Sequence, residues 1–308
     1  MPGRARFCWA TVGGTTDAES VGDLTLTTSS NLTINHTIRA DSLVLNGVSS
    51  VGNTTLNTTS ITTRRNQNYN NPVLVTQDLT LTTINSQSVY FLGNLTSDSS
   101  ARTLVIDTAG QTRFDGAVGG GSNGSTANFA SLTLSGQGQI MVNGGTVHTI
   151  GAQSYDGPVF LGADTTFDGV NLTFGSEVLS DANAARALTV RDTGTTRFDG
   201  ALGNQGRTLA SVDIANSNTA SGRVVFNGGE VYTVGNQVYA VAQLLLEDDL
   251  LLSSDSSGLV DLRGKVNSWE CELNALTIET QGATVFHDRV GIFRPLGSID
   301  TDGAPTGS

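Results

Sequence analysis

Gln67-Asn-Tyr-Asn-Asn-Pro-Val73 recurs as Gln153-Ser-Tyr-Asp-Gly-Pro-Val159 and, more loosely, as Gln237-Val-Tyr-Ala-Val-Ala-Gln243. The tyrosines at 69, 155 and 239 are thus 86 and 84 residues apart. A second marker keeps the step: Thr112-Arg-Phe-Asp-Gly-Ala-Val-Gly119 returns as Thr196-Arg-Phe-Asp-Gly-Ala-Leu-Gly203 and, degraded, as Thr284-Val-Phe-His-Asp-Arg-Val-Gly291. A third, Asn143-Gly-Gly-Thr-Val-His-Thr-Ile-Gly151, matches Asn227-Gly-Gly-Glu-Val-Tyr-Thr-Val-Gly235. Self-similarity at a fixed period is the signature of a repeat architecture. Residues 65–151 and 152–235 are two full copies, 236–300 a shorter diverged third, and 23–64 resemble the back half of an earlier one.

Inside each copy, short runs such as Leu79-Thr-Leu-Thr82, Leu132-Thr-Leu134 and Leu172-Thr-Phe174 alternate apolar and polar residues. Alternation marks a strand with one buried face, and Gly, Asn and Asp break the runs as turns require. No window keeps a helical period for more than about two turns. A sandwich, a propeller and a solenoid all use many short strands. The period favours the solenoid, since a propeller blade needs only ~40–45 residues, while about 84 residues divide into about four coils of about 21. The expected fold is an all-β parallel solenoid, a β-helix of about 12–14 such coils. Residues 1–22 read as an N-terminal arm or cap, 23–266 as the repeating solenoid, and 267–308 as diverged coils, a cap or a subunit junction.

The recurring residues then acquire roles. Phe114, Phe198 and Phe286, with Tyr69, Tyr155 and Tyr239, are expected to form the core stack. Gly116 and Gly200, each after an aspartate, are expected to permit positive φ at a corner. Arg113 with Asp115 and Arg197 with Asp199 are expected to be exposed ion pairs of small energetic value.

The runs Tyr155-Asp-Gly-Pro-Val-Phe-Leu-Gly-Ala-Asp-Thr-Thr-Phe167 and Leu188-Thr-Val-Arg-Asp-Thr-Gly-Thr-Thr-Arg-Phe-Asp-Gly-Ala-Leu-Gly203 resemble the filamentous-haemagglutinin-like and related β-strand-repeat surface exoproteins of Gram-negative bacteria. The resemblance covers roughly residues 23–295. It implies a right-handed β-helix, secretion, an extracellular or cell-surface location, and a role in adhesion, surface coating or filament formation.

The rest of the chain bounds the chemistry. A net charge of −12 repels phosphate backbones, which argues against nucleic acid as a partner. No stretch approaches the ~18 apolar residues of a membrane-spanning helix. Residues 1–16 hold basic side chains without the apolar run of ~7–15 residues expected of a signal peptide. The two cysteines, Cys8 and Cys271, do not make a disulfide framework and read as unpaired thiols.

His36, His148 and His287 lack metal-ligand spacing. Gly119-Gly-Gly-Ser-Asn-Gly124 is followed by no lysine, and Glu247-Asp-Asp249 reads as a solvated acidic turn rather than a calcium site. No catalytic residue, cofactor or metal is therefore expected.

Asn31, Asn35, Asn53, Asn57 and Asn94 begin Asn-x-Ser/Thr triplets and are candidate glycosylation sites. Phe7, Cys8, Trp9, Trp269 and Cys271 are candidate subunit contacts, because a solenoid leaves open strand edges at its ends and a head-to-tail contact polymerises. The expected function is an extracellular structural protein, an adhesive stalk or self-assembling surface filament subunit. A host or cell-surface glycan is the other candidate partner. The alternatives are a carbohydrate-binding fibre of viral or phage type and, behind it, a polysaccharide-active β-helix enzyme.

Overall fold

A computed structural model describes residues 22–47, 52–120, 127–218, 221–270 and 272–303. The fold is all-β, with parallel sheets wound as a β-solenoid of about 12 turns of about 23 residues each. No helix occurs among the described residues. The chain divides into two compact units, Met1–Gly157 and Pro158–Ser308.

In the first unit each coil visits three faces. Face one holds Asp23–Thr28, Ser42–Gly47, Gln67–Tyr69, Val89–Phe91, Thr112–Phe114 and Ile140–Val142, each hydrogen-bonded in parallel to the next. Face two carries Leu32–Ile34, Thr54–Leu56, Val73–Val75 and Leu95–Ser97, and continues through one bridging residue, Val118, to Thr146–His148. Face three runs from Ile38–Ala40 through Ser60–Thr63, Leu79–Thr83, Thr103–Asp107 and Ser131–Ser135 to Gln153–Tyr155.

The alternation read from the sequence sets which side chains enter the core. On face one the registers place two inward columns: Leu24, Leu43, Gln67, Val89, Thr112, Ile140; and Leu26, Leu45, Tyr69, Phe91, Phe114, Val142. Strands about 4.8 Å apart bring like rings into register. Tyr69 stacks on Phe91 with centroids 4.7 Å apart and planes 7° from parallel, and Phe91 on Phe114 at 5.6 Å and 16°. Such pairs add ~0.5–1.5 kcal/mol each beyond the area they bury.

The second unit has its own three faces. One holds Leu172–Phe174, Thr195–Phe198, Arg223–Phe226, Gln243–Leu246 and Lys265–Ser268. Phe174, Phe198 and Phe226 stack there at 5.0 and 5.5 Å. A second face runs from Thr165–Gly169 through Ala187–Asp192, Ser211–Asn216, Gln237–Ala240 and Val260–Leu262 to Thr284–Phe286. Its inward column is Phe167, Val190, Ile214, Tyr239, Leu262, Phe286. The third includes Glu230–Thr233, Leu250–Ser254, Ala275–Glu279 and Ser298–Gly303.

The repeat does not correspond to four whole coils. Counting the bridge at Val118 as a strand position, eleven positions lead from Gln67–Tyr69 to Gln153–Tyr155. With three faces per coil that is three and two-thirds coils, which matches about 23 residues per coil. Tyr69 therefore lies on face one and Tyr155 on face three. In the second unit, counting the bridge at Leu202, the same eleven positions carry Phe198 to Phe286 on a different face. Equivalent residues thus share a role but not a column.

The Gln-x-Tyr element explains why both residues recur. Tyr69, Tyr155 and Tyr239 are fully buried, and each hydroxyl donates to the glutamine two residues earlier: Gln67 at 2.8 Å, Gln153 at 2.6 Å and Gln237 at 2.9 Å. The glutamine amides donate in turn, Gln67 to Thr82 O at 2.9 Å, Gln153 to Thr149 Oγ1 at 3.1 Å and Gln237 to Ser253 O at 2.8 Å. A buried phenol needs such a partner. Burial also drives all three hydroxyls far above the ordinary tyrosine range.

Two expectations are corrected. Phe114 and Phe198 are fully buried, but Phe286 is only half-buried, because Thr284–Phe286 is the last strand of its sheet and no further strand among the described residues pairs over it. Gly116 and Gly200 do not have positive φ. A Cβ on Gly116 would lie 2.5 Å from Asn94 N, and one on Gly200 2.3 Å from Ser176 C, so both are required by close approach to the adjacent coil. The left-handed residue is the last glycine of the same marker, in all three copies: Gly119 (φ +80°), Gly203 (+71°) and Gly291 (+67°).

Candidate functional site

Residues between the inward positions point outward. On face one of the first unit the outward row is Val44, Asn68, Tyr90, Arg113, Met141. Beside it lie Asn46, within its strand, and Asn70, Leu92, Asp115 and Asn143, just past their strand ends. Asn68, Asn70, Tyr90, Leu92, Arg113 and Asp115 line a shallow cavity of about 260 Å³, with Gln111 at its margin. Leu92 is 49% exposed there, an apolar side chain left open on a polar surface.

Arg113 Nε donates to Asp115 Oδ1 at 2.7 Å, and Asn143 Nδ2 donates to the same oxygen at 2.6 Å. The Asn70 amide donates to Asn46 Oδ1, and Asn46 Nδ2 to Thr27 Oγ1 at 3.4 Å. The groove's wall is thus fixed from both sides. The side-chain amides of Asn68 and Gln111 make no hydrogen bond to another described residue, so each offers both a donor and an acceptor.

The equivalent outward positions differ in the other copies. The second copy has Ser154, Asp156, Thr173 and Gly175 where the first has Asn68, Asn70, Tyr90 and Leu92. It keeps Arg197 and Asp199, 2.7 Å apart, but Arg197 also binds Glu247 at 2.6 Å. Glu247 and then Asp199 hold this guanidinium well above its ordinary pKa. The third copy has Val238, Ala240, Asp261, Arg263, Val285 and His287. Asp261, whose side chain is 6% exposed, accepts from Arg263 Nε at 2.8 Å and lies 2.8 Å from His287 Nε2. Arg197 thus reaches a residue two coils further on, while His287 approaches Asp261 from the adjacent coil. Only the first copy combines the ion pair with an aromatic and an open apolar side chain.

The other candidate residues divide as follows. The sequon asparagines occupy coil corners: Asn31 Oδ1 accepts from Asn53 N at 3.0 Å, Asn57 Nδ2 donates to Asn35 Oδ1 at 3.0 Å, and Asn94 Oδ1 accepts from Ala117 N at 3.1 Å. At Asn31, Asn53 and Asn94 the triplet arises because a corner asparagine is followed by a strand with Thr at its outward position, whereas Thr37 and Thr59, which complete the triplets of Asn35 and Asn57, lie in the corners themselves. Phe7, Cys8, Trp9 and Cys271 lie outside the described residues. Trp269 is half-buried after Lys265–Ser268, with its backbone N–H donating to Leu246 O at 2.6 Å. The acidic turn is engaged structurally, Glu247 by Arg197 and Asp249 by the Ala275 N–H at 2.7 Å.

Among the described residues no group of three or more His, Cys, Asp or Glu could hold a metal ion, and no helix is long and apolar enough to cross a membrane. No protein-family model, curated protein or solved structure matches the chain.

Sequence reasoning missed Tyr90 and the assembly around Asp261. Val89-Tyr90-Phe91 did carry the signal for Tyr90, since a residue between two apolar strand positions points out. The neighbours Asn68 and Arg113 come from adjacent coils, and only the register brings them to it.

Proposed function

We propose that this chain is an extracellular structural protein, an adhesive stalk or self-assembling surface filament subunit, without catalysis. The observation that carries the reading is the contrast between the two sides of the strands. The buried Gln-x-Tyr pair recurs in all three copies, whereas the outward residues at Asn68, Tyr90 and Leu92 change from copy to copy. The recurring content of the repeat is therefore its scaffold. The ionic groups fit the same reading, since Arg197 is paired with Glu247 and Asp261 with Arg263 beside it, rather than left open in a cleft.

Head-to-tail association is supported by the state of the last described strand. Ile299 pairs in register with fully buried Leu276, yet is 47% exposed itself. Among the described residues no strand pairs the far edge of Ser298–Gly303, and an unpaired edge with an apolar inward position is a template for another strand. Electron microscopy at rising protein concentration tests the filament: unbranched fibres are expected, and persistent monomers leave only the stalk. Fractionation of the source cells tests location. Recovery in the soluble cytoplasm would overturn the whole reading.

A further inference from the structure

We infer that the groove around Tyr90 is a binding site for an uncharged oligosaccharide. The inference is independent of whether the chain polymerises. A sugar ring presents an apolar C–H face and a rim of hydroxyls, each both donor and acceptor. The groove supplies the complement of both. The Tyr90 ring and the exposed Leu92 form an apolar surface open to solvent. Around them stand Asn68 and Gln111, whose amides have no partner among the described residues, and the Asp115 carboxylate, one oxygen of which already accepts two hydrogen bonds. Planar amides and carboxylates reach adjacent hydroxyls with two atoms at once.

Charge selects the class of sugar. Arg113 is neutralised by Asp115 at 2.7 Å, so the groove offers no net positive charge, and the chain as a whole carries −12. A polyuronate or sulfated glycan would be repelled. Size sets the extent: about 260 Å³ lies just below the ~300–1,000 Å³ of drug-sized sites, room for roughly one ring of a longer chain. The groove is also rigid, since its members stand on paired strands and both Asp115 and Asn70 are fixed from neighbouring coils.

The recurrence of the repeat argues that the groove is more than lattice patterning. The Arg–Asp pair survives into the second copy, but Tyr90 becomes Thr173 and Leu92 becomes Gly175. Among the equivalent described positions of the copies, the apolar floor is thus found in the first, as a dedicated site requires.

The test is calorimetric titration of the full chain with neutral trisaccharides (maltotriose, cellotriose, chitotriose, mannotriose) and with trigalacturonate as the charged comparator, each up to ~10 mM to reach weak affinities. At least one neutral trimer is expected to bind and trigalacturonate not to. Tyr90→Ala should weaken binding at least about tenfold while Thr173→Ala leaves it unchanged. The outward position of Tyr90 predicts an unaltered melting temperature for the variant. In amide-resolved NMR the side-chain NH2 signals of Asn68 and Gln111 should shift on titration. The inference is overturned if no neutral trimer binds, if trigalacturonate binds as well or better, or if Tyr90→Ala binds like the parent.

Discussion

Phe114 and Phe286 hold equivalent places in the repeat, so sequence alone assigns them equal weight. The structure assigns unequal weight, and Phe→Ala at each measures the difference. Phe114 is fully buried, stacked on Phe91 at 5.6 Å, and covered on its other side by Val142 in the next strand. Removing its ring forfeits the transfer energy, leaves a cavity that paired strands on both sides cannot collapse, and breaks a stack. The expected cost is ~3–5 kcal/mol. Phe286 is half-buried on the terminal strand of its sheet. About half its transfer energy is in play and no closed cavity forms, so the expected cost is ~1–2 kcal/mol.

In a solenoid, stability sums over coils and their interfaces, so the readouts must be local as well as global. Urea unfolding followed by circular dichroism gives the total. Hydrogen exchange in Val89–Phe91 and Ile140–Val142 should rise sharply in Phe114→Ala. In Phe286→Ala the loss of protection should stay within Val260–Leu262 and Thr284–Phe286. Equal costs, or spread of the Phe286→Ala effect to distant coils, would refute the reasoning.

Three further predictions follow from the buried polar groups and the glycines. Gln153→Leu removes the acceptor of the Tyr155 hydroxyl and should cost ~1–3 kcal/mol; adding Tyr155→Phe should recover part of that loss in a double-mutant cycle read by urea unfolding. The hydroxyls of Tyr69, Tyr155 and Tyr239 are all raised by burial above the ~10 of an unfolded tyrosine. Their contribution to stability is thus intact below about pH 10 and lost as pH rises above it. In an alkaline titration followed by tyrosinate absorbance, three of the five tyrosines should ionise only together with unfolding; independent ionisation of all five in the folded state would contradict the burial. Gly119→Ala meets both a φ of +80° and the His148 carbonyl oxygen at 2.2 Å from its new Cβ, whereas at Gly291 the nearest atom is 3.3 Å away. Gly119→Ala should therefore lower the melting temperature more than Gly291→Ala, and the reverse order would refute the geometry.

The fold class was legible because a strand with one dry face has to alternate, and runs such as Leu79-Thr-Leu-Thr82 do so without ambiguity. The repeat length was legible too, but not its phase on the coil. That phase depends on corner lengths, and corners are where residues such as Asn71 and Gly93 are chosen for fit against the coil below rather than for any local pattern. Tyr69, Tyr155, Phe114 and Phe198 were readable as core from their recurrence. Phe286 was misread because burial depends on whether another coil follows, which its own segment does not encode. The groove was the least readable feature. Tyr90 could be assigned to the outside from Val89 and Phe91, but its neighbours are about 22 residues away in either direction, and adjacency at that distance is a property of winding.

Eleven strand positions do not divide evenly by three, and this mismatch resembles a gear whose tooth count shares no factor with its partner. A duplicated segment cannot land on the face of its parent; it is displaced by a third of a revolution. In the first unit, the bearing of Tyr69 on one face is answered by Tyr155 on another. Any chemistry acquired on the outside of one copy before duplication would therefore be broadcast in new compass directions rather than multiplied along one line. A chain that grows this way favours display around its circumference, and each daughter surface, facing surroundings its parent never met, is free to diverge.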